Sequence, residues 1–351
     1  MGGNRAVRRR ATSQHQGRVK MAQTKTPPPR RAGSLAARLR AAGRSLGDDY
    51  IRGKIQEEAP LNRHSWFRVG GPAEVLFSPD DKKDLINFLK ILPPETPLTV
   101  LGLGSNMLIR DGGVRGAVVR LWRAFGATRY FEDDKEIYAE AAAPCPRLAK
   151  FAYVSGLGGL EFYLGIPGTV GGAIVMNAGA FGGETKKVIS RAYAVLRNGD
   201  EYAFTPKTLH MRYRYSRFPK DAIFIAAKFS VKPERKGIIK DRMDSIRQQR
   251  DLAQPTGIAT GGSTFKNPPK HKAWRLIEEA GCQNLRVGAA RVSEKHCNFL
   301  VNEGGATATD IEALGEEIRR RVFETSGKNL EWEIRRIGQS SATDDWEVGR
   351  G

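Results

Sequence analysis

Two glycine-rich segments constrain the fold of this chain of 351 residues more than any other feature. The first reads LGLGSN at residues 101–106 and follows a strand-like run. The second reads GIPGTVGG at residues 165–172 and leads into NAGAFGG at residues 177–183. Glycines remove side-chain bulk, so backbone amides in such segments can approach a phosphate closely. Because ordinary turns do not need so many glycines, the two segments together favour a site for a phosphate-containing ligand.

The first segment does not fit the usual nucleotide-binding motifs. Met107 stands where the Rossmann fingerprint GxGxxG needs its third glycine, and the Asp-Gly-Gly turn at residues 111–113 follows before a helix can begin. The sequence also contains no GxxxxGK[ST] loop and no HExxH metal motif. On its own, a tight connection between strands explains LGLGSN equally well.

The net charge of +20 invites a nucleic-acid interpretation, but half of it lies in the first 50 residues. That segment holds 12 of the 58 Lys and Arg residues and 2 of the 38 Asp and Glu residues, and it has no Trp, Phe or Ile. It buries too little apolar surface to fold alone, so we predict a disordered basic tail over residues 1–48. A true start at Met21, or a tail that binds nucleic acid or a membrane surface, stays open as an alternative.

The length exceeds the usual size of one domain, roughly 100 to 200 residues, so at least two domains are expected. No stretch approaches the roughly 18 apolar residues of a membrane span. The three cysteines, Cys145, Cys282 and Cys297, are odd in number and form no CxxC pair. This pattern argues against a disulfide framework or a zinc ribbon and favours a reducing compartment, so we expect a cytoplasmic protein without a metal site.

Strand-like and helix-like segments alternate along the rest of the chain, and a composition shift marks a boundary among them. The stretch 232–250 is charged and helix-like, so we predict domains at residues 49–232 and 233–338 and a C-terminal tail at residues 339–351. The second domain ends in a predicted strand over residues 330–337, with apolar and charged side chains alternating between its two faces.

Turn and cap signals mark several element ends. The Asn-Gly-Asp sequence at residues 198–200 predicts a β-hairpin, because Asn and Gly tolerate the positive φ of such turns. Ser78 is the predicted N-cap of a helix in the first domain. Thr309 with Glu312 forms a predicted capping box, which starts a helix with one apolar face that ends at Gly327.

Six motifs occur in a fixed order along the chain. They are NRHSWFRVGGPA (62–73), LGLGSNMLIRDGG (101–113), the second glycine segment, YRYS (213–216), GSTFKNP (262–268) and LEWEIRRIG (330–338). Together they resemble the UDP-N-acetylenolpyruvoylglucosamine reductase (MurB) family of peptidoglycan synthesis over residues 49–338. The interval between YRYS and GSTFKNP is too short for the extra substrate-covering loop of one branch, so the chain resembles the shorter, second type.

The resemblance implies an α+β protein. Its first part is a vanillyl-alcohol-oxidase (PCMH)-type FAD-binding fold of two subdomains, and a C-terminal α+β substrate domain follows. The implied FAD is non-covalent, because His64 lies outside the attachment motif of covalent relatives. NADPH is the implied donor, and hydride passes from flavin N5 to C3 of UDP-N-acetylglucosamine enolpyruvate while C2 receives a proton, giving UDP-N-acetylmuramate. No specific nucleic-acid partner and no membrane span are expected.

The resemblance assigns one residue to each function that this reaction needs: a proton donor, a positive group for the enolate and a polar partner. Ser263 matches the proton donor to C2, Arg214 the enolate-stabilising residue, and Glu333 the second catalytic polar residue. Without the family pattern these are a turn serine, a surface arginine and a solvent-facing strand glutamate. Trp332 departs from the pattern, because the family's LEPEV motif has proline there.

The same resemblance implies two sets of binding residues. For FAD, with backbone amides mattering more than side chains, they are Gly102, Gly104, Ser105, Asn106, Gly168, Val170, Gly171 and Gly179. For the substrate they are Tyr213, Lys266, Asn267 and His296. A partly buried structural role explains His296 equally well.

Two other classes of function compete with this interpretation. Another FAD-dependent oxidase or dehydrogenase on the same fold would share the glycine segments, but it has no reason to carry YRYS, GSTFKNP and LEWEI in this order. A binding protein that acts through its basic tail, on a degenerate flavin scaffold, has no reason to keep three catalytic positions. A yellow protein that NADPH bleaches would exclude the binding protein.

Overall fold

A computed structural model describes residues 1–2 and 33–341. Residues 3–32 of the predicted basic tail and residues 342–351 of the predicted C-terminal tail lie outside the described residues. The chain divides into two units, residues 1–33 and 34–351, and all elements below belong to the second.

Helices and strands alternate along the described part of this unit. The helices are α1 (Leu35–Leu46), α2 (Lys82–Ile91), α3 (Cys145–Val154), α4 (Val170–Met176), α5 (Lys236–Ala253), α6 (Ala273–Glu279) and α7 (Ala308–Ser326). The strands are β1 (Lys54–Pro60), β2 (Pro72–Ser78), β3 (Leu98–Leu101), β4 (Met107–Ile109), β5 (Val114–Arg120), β6 (Thr128–Phe131), β7 (Glu136–Glu140), β8 (Leu157–Gly158), β9 (Gly179–Ala180), β10 (Gly183–Glu184), β11 (Ile189–Val195), β12 (Glu201–Phe204), β13 (Ile223–Ser230), β14 (Lys232–Pro233), β15 (Ala259–Ser263), β16 (Arg286–Val287), β17 (Ala290–Val292), β18 (Phe299–Asn302) and β19 (Arg335–Ile337). Among the described residues, no helix combines the length and the apolar character needed to cross a bilayer.

The first sheet has the strand order β1-β2-β5-β3, in which β1 is antiparallel to β2 and the other neighbours are parallel. Helix α2 packs on it through Phe88, whose ring stacks on Phe77 of β2 at a centroid distance of 3.9 Å. Asp81 caps α2 by accepting a hydrogen bond from the Asp84 amide at 2.8 Å. The predicted cap at Ser78 is therefore wrong, because Ser78 is still paired in β2.

Helix α1 corrects the prediction that the chain is disordered up to residue 48. Ser34 caps its first turn, and Leu35, Ala36 and Leu39 are buried in the core that α2 and the first sheet share. These side chains lie on one face of a helix. The apolar pattern of that face is too short to be recognised within the basic, Pro-rich sequence around it.

The second sheet has the order β12-β11-β13-β7-β6 and is antiparallel throughout. Strands β11 and β12 confirm the hairpin predicted around residues 198–200, and Gly199 has a φ of +91° in its turn. Ile239 and Met243 of α5 are buried in the core of this sheet. The predicted boundary at residue 233 thus separates α5 from the core in which it packs. The boundary is predicted there because the segment is charged, and that composition reflects only the wide exposed face of the helix.

The third sheet, β15-β18-β17-β16, is antiparallel and contacts α7, which in turn packs on α6. The predicted apolar face of α7 is confirmed, and Gly327 ends the helix with a left-handed φ of 66°. The side chains that this face buries are Ile311, Leu314, Ile318 and Val322.

The N-terminal cap of α7 differs from the prediction. Thr307 and Asp310 form the capping box, in place of Thr309 and Glu312. Thr309 donates instead to the Asp111 carboxylate, from its amide at 3.0 Å and from its hydroxyl at 2.9 Å. Helix α7 is therefore joined to the turn that follows β4.

Strand β19 returns to the first half of the protein and pairs in parallel with β4, with Arg335 opposite Met107. Of the strand predicted over residues 330–337, only β19 forms a ladder. The residues before it form one isolated bridge, between Trp332 and Phe265. The C-terminal segment thus lies between the loop that follows β3 and the third sheet.

Candidate active site

A cavity of about 470 Å³ lies between the two glycine segments and the C-terminal loops. Arg214, Ser263 and Glu333 all line it, although they belong to three separate motifs. The predicted FAD-binding residues that line it are Gly102, Gly104, Ser105, Asn106, Gly168, Gly171 and Gly179. Val170 does not line the cavity, because its side chain is fully buried in the core of the second sheet.

The first glycine segment leaves backbone amides free. The amides of residues 103–106 donate no hydrogen bond to any described residue, whereas the Gly104 carbonyl accepts from Trp66 N at 3.2 Å and the Asn106 carbonyl from Arg335 N at 3.0 Å. Gly104 has a φ of +65°, and a Cβ there would lie 2.0 Å from the His64 carbonyl oxygen. The loop is therefore held through its carbonyls, and residues 101–106 line the cavity.

The second glycine segment uses its amides within the protein. Val170 N donates to Ala143 O at 3.0 Å, Gly171 N to Ala141 O at 2.8 Å, and Gly168 N to Ile166 O at 2.9 Å. At these three positions the expectation that backbone amides of both glycine segments are available to a phosphate is wrong, because the protein's own carbonyls accept from them. Its glycines serve close packing instead.

That packing is visible where a side chain would collide with the protein. A Cβ on Gly165 would lie 2.3 Å from the Phe181 ring, and one on Gly171 would lie 3.1 Å from the Ala141 Cβ. Gly172 is more open, since a Cβ there would meet only Thr169 Oγ1, at 3.7 Å. The second segment therefore forms a smooth wall of the cavity.

Arg214 and Glu333 form an ion pair through Nε and Oε1, and both side chains are largely buried. Burial raises the pKa of the Glu333 carboxyl, and the adjacent Arg214 guanidinium opposes this shift. Arg214 has a φ of +52° inside a turn that two hydrogen bonds between Arg212 and Tyr215, each 3.0 Å, hold in place. A non-glycine residue in this conformation is strained, and such strain is found most often at functional sites.

Ser263 ends β15 opposite Phe299 and follows Gly262, whose φ is +81°. A Cβ on Gly261 would lie 2.3 Å from the Phe67 ring, so the glycine lets this loop lie close to the segment that precedes β2. The Ser263 hydroxyl forms no hydrogen bond to a described residue. It is therefore available to a ligand in the cavity.

Hydrogen bonds connect these parts of the site. The side-chain amide of Asn106 donates to the Glu333 carbonyl at 3.2 Å, and Glu333 N donates to Thr264 O at 2.8 Å. The Tyr213 hydroxyl accepts from Asn267 N at 3.3 Å. The first glycine loop, the GSTFKNP loop and the YRYS turn are thus joined to one another.

The four predicted substrate-binding residues lie outside the cavity lining. Lys266 pairs with Glu331 at 3.1 Å, and the Asn267 side-chain oxygen accepts from Ala273 N at 2.9 Å. His296 is half-buried, which lowers its pKa, and its Nδ1 accepts from the Asn298 amide at 3.2 Å.

Several cavity residues were missed by the sequence reasoning, among them Trp66, Thr169, Arg250, Gln254 and Arg335. Arg335 had a signal, because it lies two positions after Glu333 on the charged face of the predicted strand. Arg250 had no such signal. It lies near the end of a charged helix, and only the position of that helix in the fold brings it to the cavity.

Two family descriptions match the chain. The family described as "FAD binding domain" matches residues 73–204, which include both glycine segments. The family described as "UDP-N-acetylenolpyruvoylglucosamine reductase, C-terminal domain" matches residues 254–337, which include Ser263 and Glu333. The second match begins directly after α5.

Individual proteins match over most of the chain. The UDP-N-acetylenolpyruvoylglucosamine reductase of Methylorubrum populi is 51% identical over 312 residues, which are 89% of this chain and 99% of that protein. The enzyme of the same name from Rhodopseudomonas palustris is 50% identical over 305 residues, 87% of this chain and 96% of that protein. The crystal structure of UDP-N-acetylenolpyruvylglucosamine reductase (MurB) from Thermus caldophilus superposes with a TM-score of 0.71 at 34% identity, covering 82% of this chain and 100% of that one.

Proposed function

Because the chain belongs to the UDP-N-acetylenolpyruvoylglucosamine reductase (MurB) family, we propose that the cavity is its active site and that NADPH is its hydride donor. The chain is a UDP-N-acetylmuramate dehydrogenase, an FAD-binding oxidoreductase of peptidoglycan precursor synthesis. The reaction adds hydride to C3 and a proton to C2 of the enolpyruvyl group.

The first glycine loop fits the pyrophosphate of FAD. Residues 103–106 line the cavity, and their four backbone amides donate to no described residue. Neutral N–H donors of this kind bind phosphate oxygens without a basic side chain. When bound, FAD supplies the redox chemistry, taking hydride from NADPH and giving it to the enolpyruvyl double bond. The second glycine segment would face the bound cofactor as a wall of the cavity, and the binding is proposed to be non-covalent.

Arg214 binds the carboxylate of the enolpyruvyl group. Only its Nε is engaged by Glu333, so both terminal nitrogens are left to donate to two carboxylate oxygens. Negative charge grows on that carboxylate as hydride arrives at C3, and a fixed guanidinium stabilises it. Glu333 holds the guanidinium in place from the opposite side.

Ser263 donates the proton to C2. Its hydroxyl lines the same cavity as Arg214 and has no described hydrogen-bond partner that would compete for the proton. The C–H bond at C2 forms as the O–H bond breaks, and the serine regains its proton from water. Tyr213, Lys266, Asn267 and His296 lie outside the cavity lining, and we propose that they bind the UDP part of the substrate.

The observation that carries this function is the meeting of Ser263, Arg214 and Glu333 in one cavity with the free amides of the first glycine loop. The test is anaerobic: NADPH should bleach the flavin band of the purified protein, and UDP-N-acetylglucosamine enolpyruvate should restore it with formation of UDP-N-acetylmuramate. Bleaching without reoxidation by this substrate would favour another flavin enzyme on the same fold. A colourless protein that binds no FAD would favour the binding protein.

The cytoplasm is the proposed compartment. Cys145, Cys282 and Cys297 are all unpaired and buried, as expected of a protein that stays in a reducing environment.

A further inference from the structure

Trp332 directly precedes Glu333, and its side chain is held between α7 and the GSTFKNP loop. Its indole Nε1 donates to Glu316 Oε1 of α7 at 2.9 Å. The Phe265 ring centroid lies 5.1 Å from its own, and the guanidinium carbon of Arg336 lies 4.6 Å from its ring centroid. Three different elements therefore fix the position of this ring.

Gly315 of α7 provides the space for the ring. A Cβ at Gly315 would lie 2.2 Å from Cη2 and 2.4 Å from Cζ2 of Trp332. The backbone itself does not require glycine, because Gly315 has no left-handed φ and lies within the 19-residue helix α7. Alanine stabilises such a position more than glycine does. The space that the Trp332 ring occupies therefore explains why residue 315 is glycine.

The backbone beside Trp332 is fixed to the same loop that carries Ser263. Lys266 N donates to Glu331 O at 2.8 Å, and Glu333 N donates to Thr264 O at 2.8 Å. Successive side chains of an extended segment point to opposite sides. Trp332 accordingly faces α7 while Glu333 lines the cavity, so the position of one side chain sets the direction of the other.

Helix α7 is itself anchored to the first half of the site. Glu316 accepts from Arg336 Nη1 at 3.0 Å, and the same nitrogen lies 2.7 Å from Glu312 Oε1. Glu312 also binds Arg110, the residue after β4, through two hydrogen bonds of 2.8 and 2.9 Å. The surface on which Trp332 rests therefore cannot move independently of the strand that follows the first glycine loop.

We propose that Trp332 is a positioning residue for Glu333 and that Gly315 makes this position possible. The pair sets the orientation of the Glu333–Arg214 ion pair and thereby the rate of the step in which the enolpyruvyl substrate is reduced. This inference rests on the proposed function, because it needs Glu333 at the active site.

The experiment compares Gly315→Ala, Trp332→Ala, the double variant and the matched control Gly237→Ala. Gly237 also lies in a helix, α5, but a Cβ there would meet no atom within 4 Å. Rapid-mixing absorbance follows flavin reduction by NADPH and reoxidation by UDP-N-acetylglucosamine enolpyruvate separately, the latter over a range of pH.

Gly315→Ala should slow reoxidation by at least about tenfold, since a 1 Å displacement of an active-site group can cost about 100-fold. It should also shift the pH profile of reoxidation, because the environment of Glu333 changes, and leave flavin reduction unchanged. Trp332→Ala should have the same two effects. In the Trp332→Ala background Gly315→Ala should have no further effect, because the ring that its Cβ meets is gone. Gly237→Ala should behave as the wild type.

A conservative variant covers the case in which Trp332→Ala fails to fold. Trp332→Phe keeps a ring in the space at Gly315 and should retain most of the wild-type reoxidation rate. The proposal is overturned if Gly315→Ala matches Gly237→Ala, if it slows reoxidation equally in both backgrounds, or if it slows both half-reactions equally with an unshifted pH profile. Failure of the wild type itself to be reoxidised by the substrate would instead overturn the proposed function.

Discussion

The two glycine-rich segments are alike in sequence but differ in how their backbone amides are used. In the first, carbonyl groups tie the loop to Trp66 and Arg335, while the four amides of residues 103–106 donate to no described residue. In the second, the carbonyl groups of Ala141 and Ala143 accept hydrogen bonds from the amides at the start of α4. A run of glycines thus indicates that another group approaches the backbone closely. Whether nearby carbonyls accept from the glycine amides decides whether that group is a ligand or the protein itself.

If both glycine segments only hold the cofactor, a substitution in either should affect the two half-reactions alike. A substitution at Ser263 should instead slow only the reduction of the substrate. Ser263→Ala is expected to leave flavin reduction by NADPH near normal and to slow reoxidation by the enolpyruvyl substrate by about 10² to 10⁴, or roughly 3 to 5 kcal/mol of barrier. Rapid-mixing absorbance at the flavin band measures both. Equal slowing of the two halves would point to a damaged flavin site instead.

Gly104→Ala tests the strained, amide-bearing loop. Its φ of +65° and the 2.0 Å approach of a Cβ to the His64 carbonyl force the loop to move, so we expect the free energy of unfolding to fall by about 2 to 4 kcal/mol and FAD to be lost. Denaturant titration and the flavin-to-protein absorbance ratio measure these effects. Full FAD occupancy at unchanged stability would mean that the loop is not the phosphate site.

Gly172→Leu tests the second segment as a wall. The Cβ meets only Thr169 Oγ1, at 3.7 Å, so the fold should tolerate the change while the longer side chain enters the cavity. We expect FAD to bind about tenfold more weakly, or about 1.4 kcal/mol, with little change in the unfolding of the apoprotein. Titration of apoprotein with FAD measures the affinity, and wild-type affinity would place the cofactor away from α4.

Gly168→Ala should have the smallest effect. Its Cβ would lie 3.4 Å from Ser105 Oγ and 4.0 Å from Ile166 Cγ2, both ordinary contacts, and the residue has no left-handed φ. We expect changes of less than about 0.5 kcal/mol in both unfolding and FAD binding. A large loss of FAD with unchanged stability would show that the second segment approaches the cofactor at Gly168. Both segments would then contact the cofactor directly.

Local chemistry made the hairpin at residues 198–200 and the apolar face of α7 predictable, because each depends on a few neighbouring residues. The three catalytic candidates were found through ordered motifs and lie in one cavity. The left-handed φ of Arg214 could not be foreseen, since YRYS contains neither glycine nor asparagine and the conformation is imposed by the surrounding turn.

Elements that depend on tertiary partners were the ones predicted wrongly. The cap of α7 is Thr307 and not Thr309, because Thr309 donates its hydrogen bonds to Asp111, which lies 198 residues away in sequence. The predicted domain boundary placed α5 with the wrong core because a helix with one narrow buried stripe has the composition of an exposed segment. A single sequence gives no sign of such distant partners.

The pairing of β19 with β4 bears on the order in which the site is assembled during protein synthesis. The Asn106 side chain and the Glu333 carbonyl that it binds are 227 residues apart in sequence. Contacts across so long a separation form only after the intervening chain has been made, and the first domain of a nascent chain folds before its partners emerge. The first two sheets can therefore fold on the ribosome before Arg335 has been made. At that stage the Asn106 carbonyl lacks the Arg335 amide that later donates to it. A chain that stops before β19 is expected to be inactive, however well the rest of it folds.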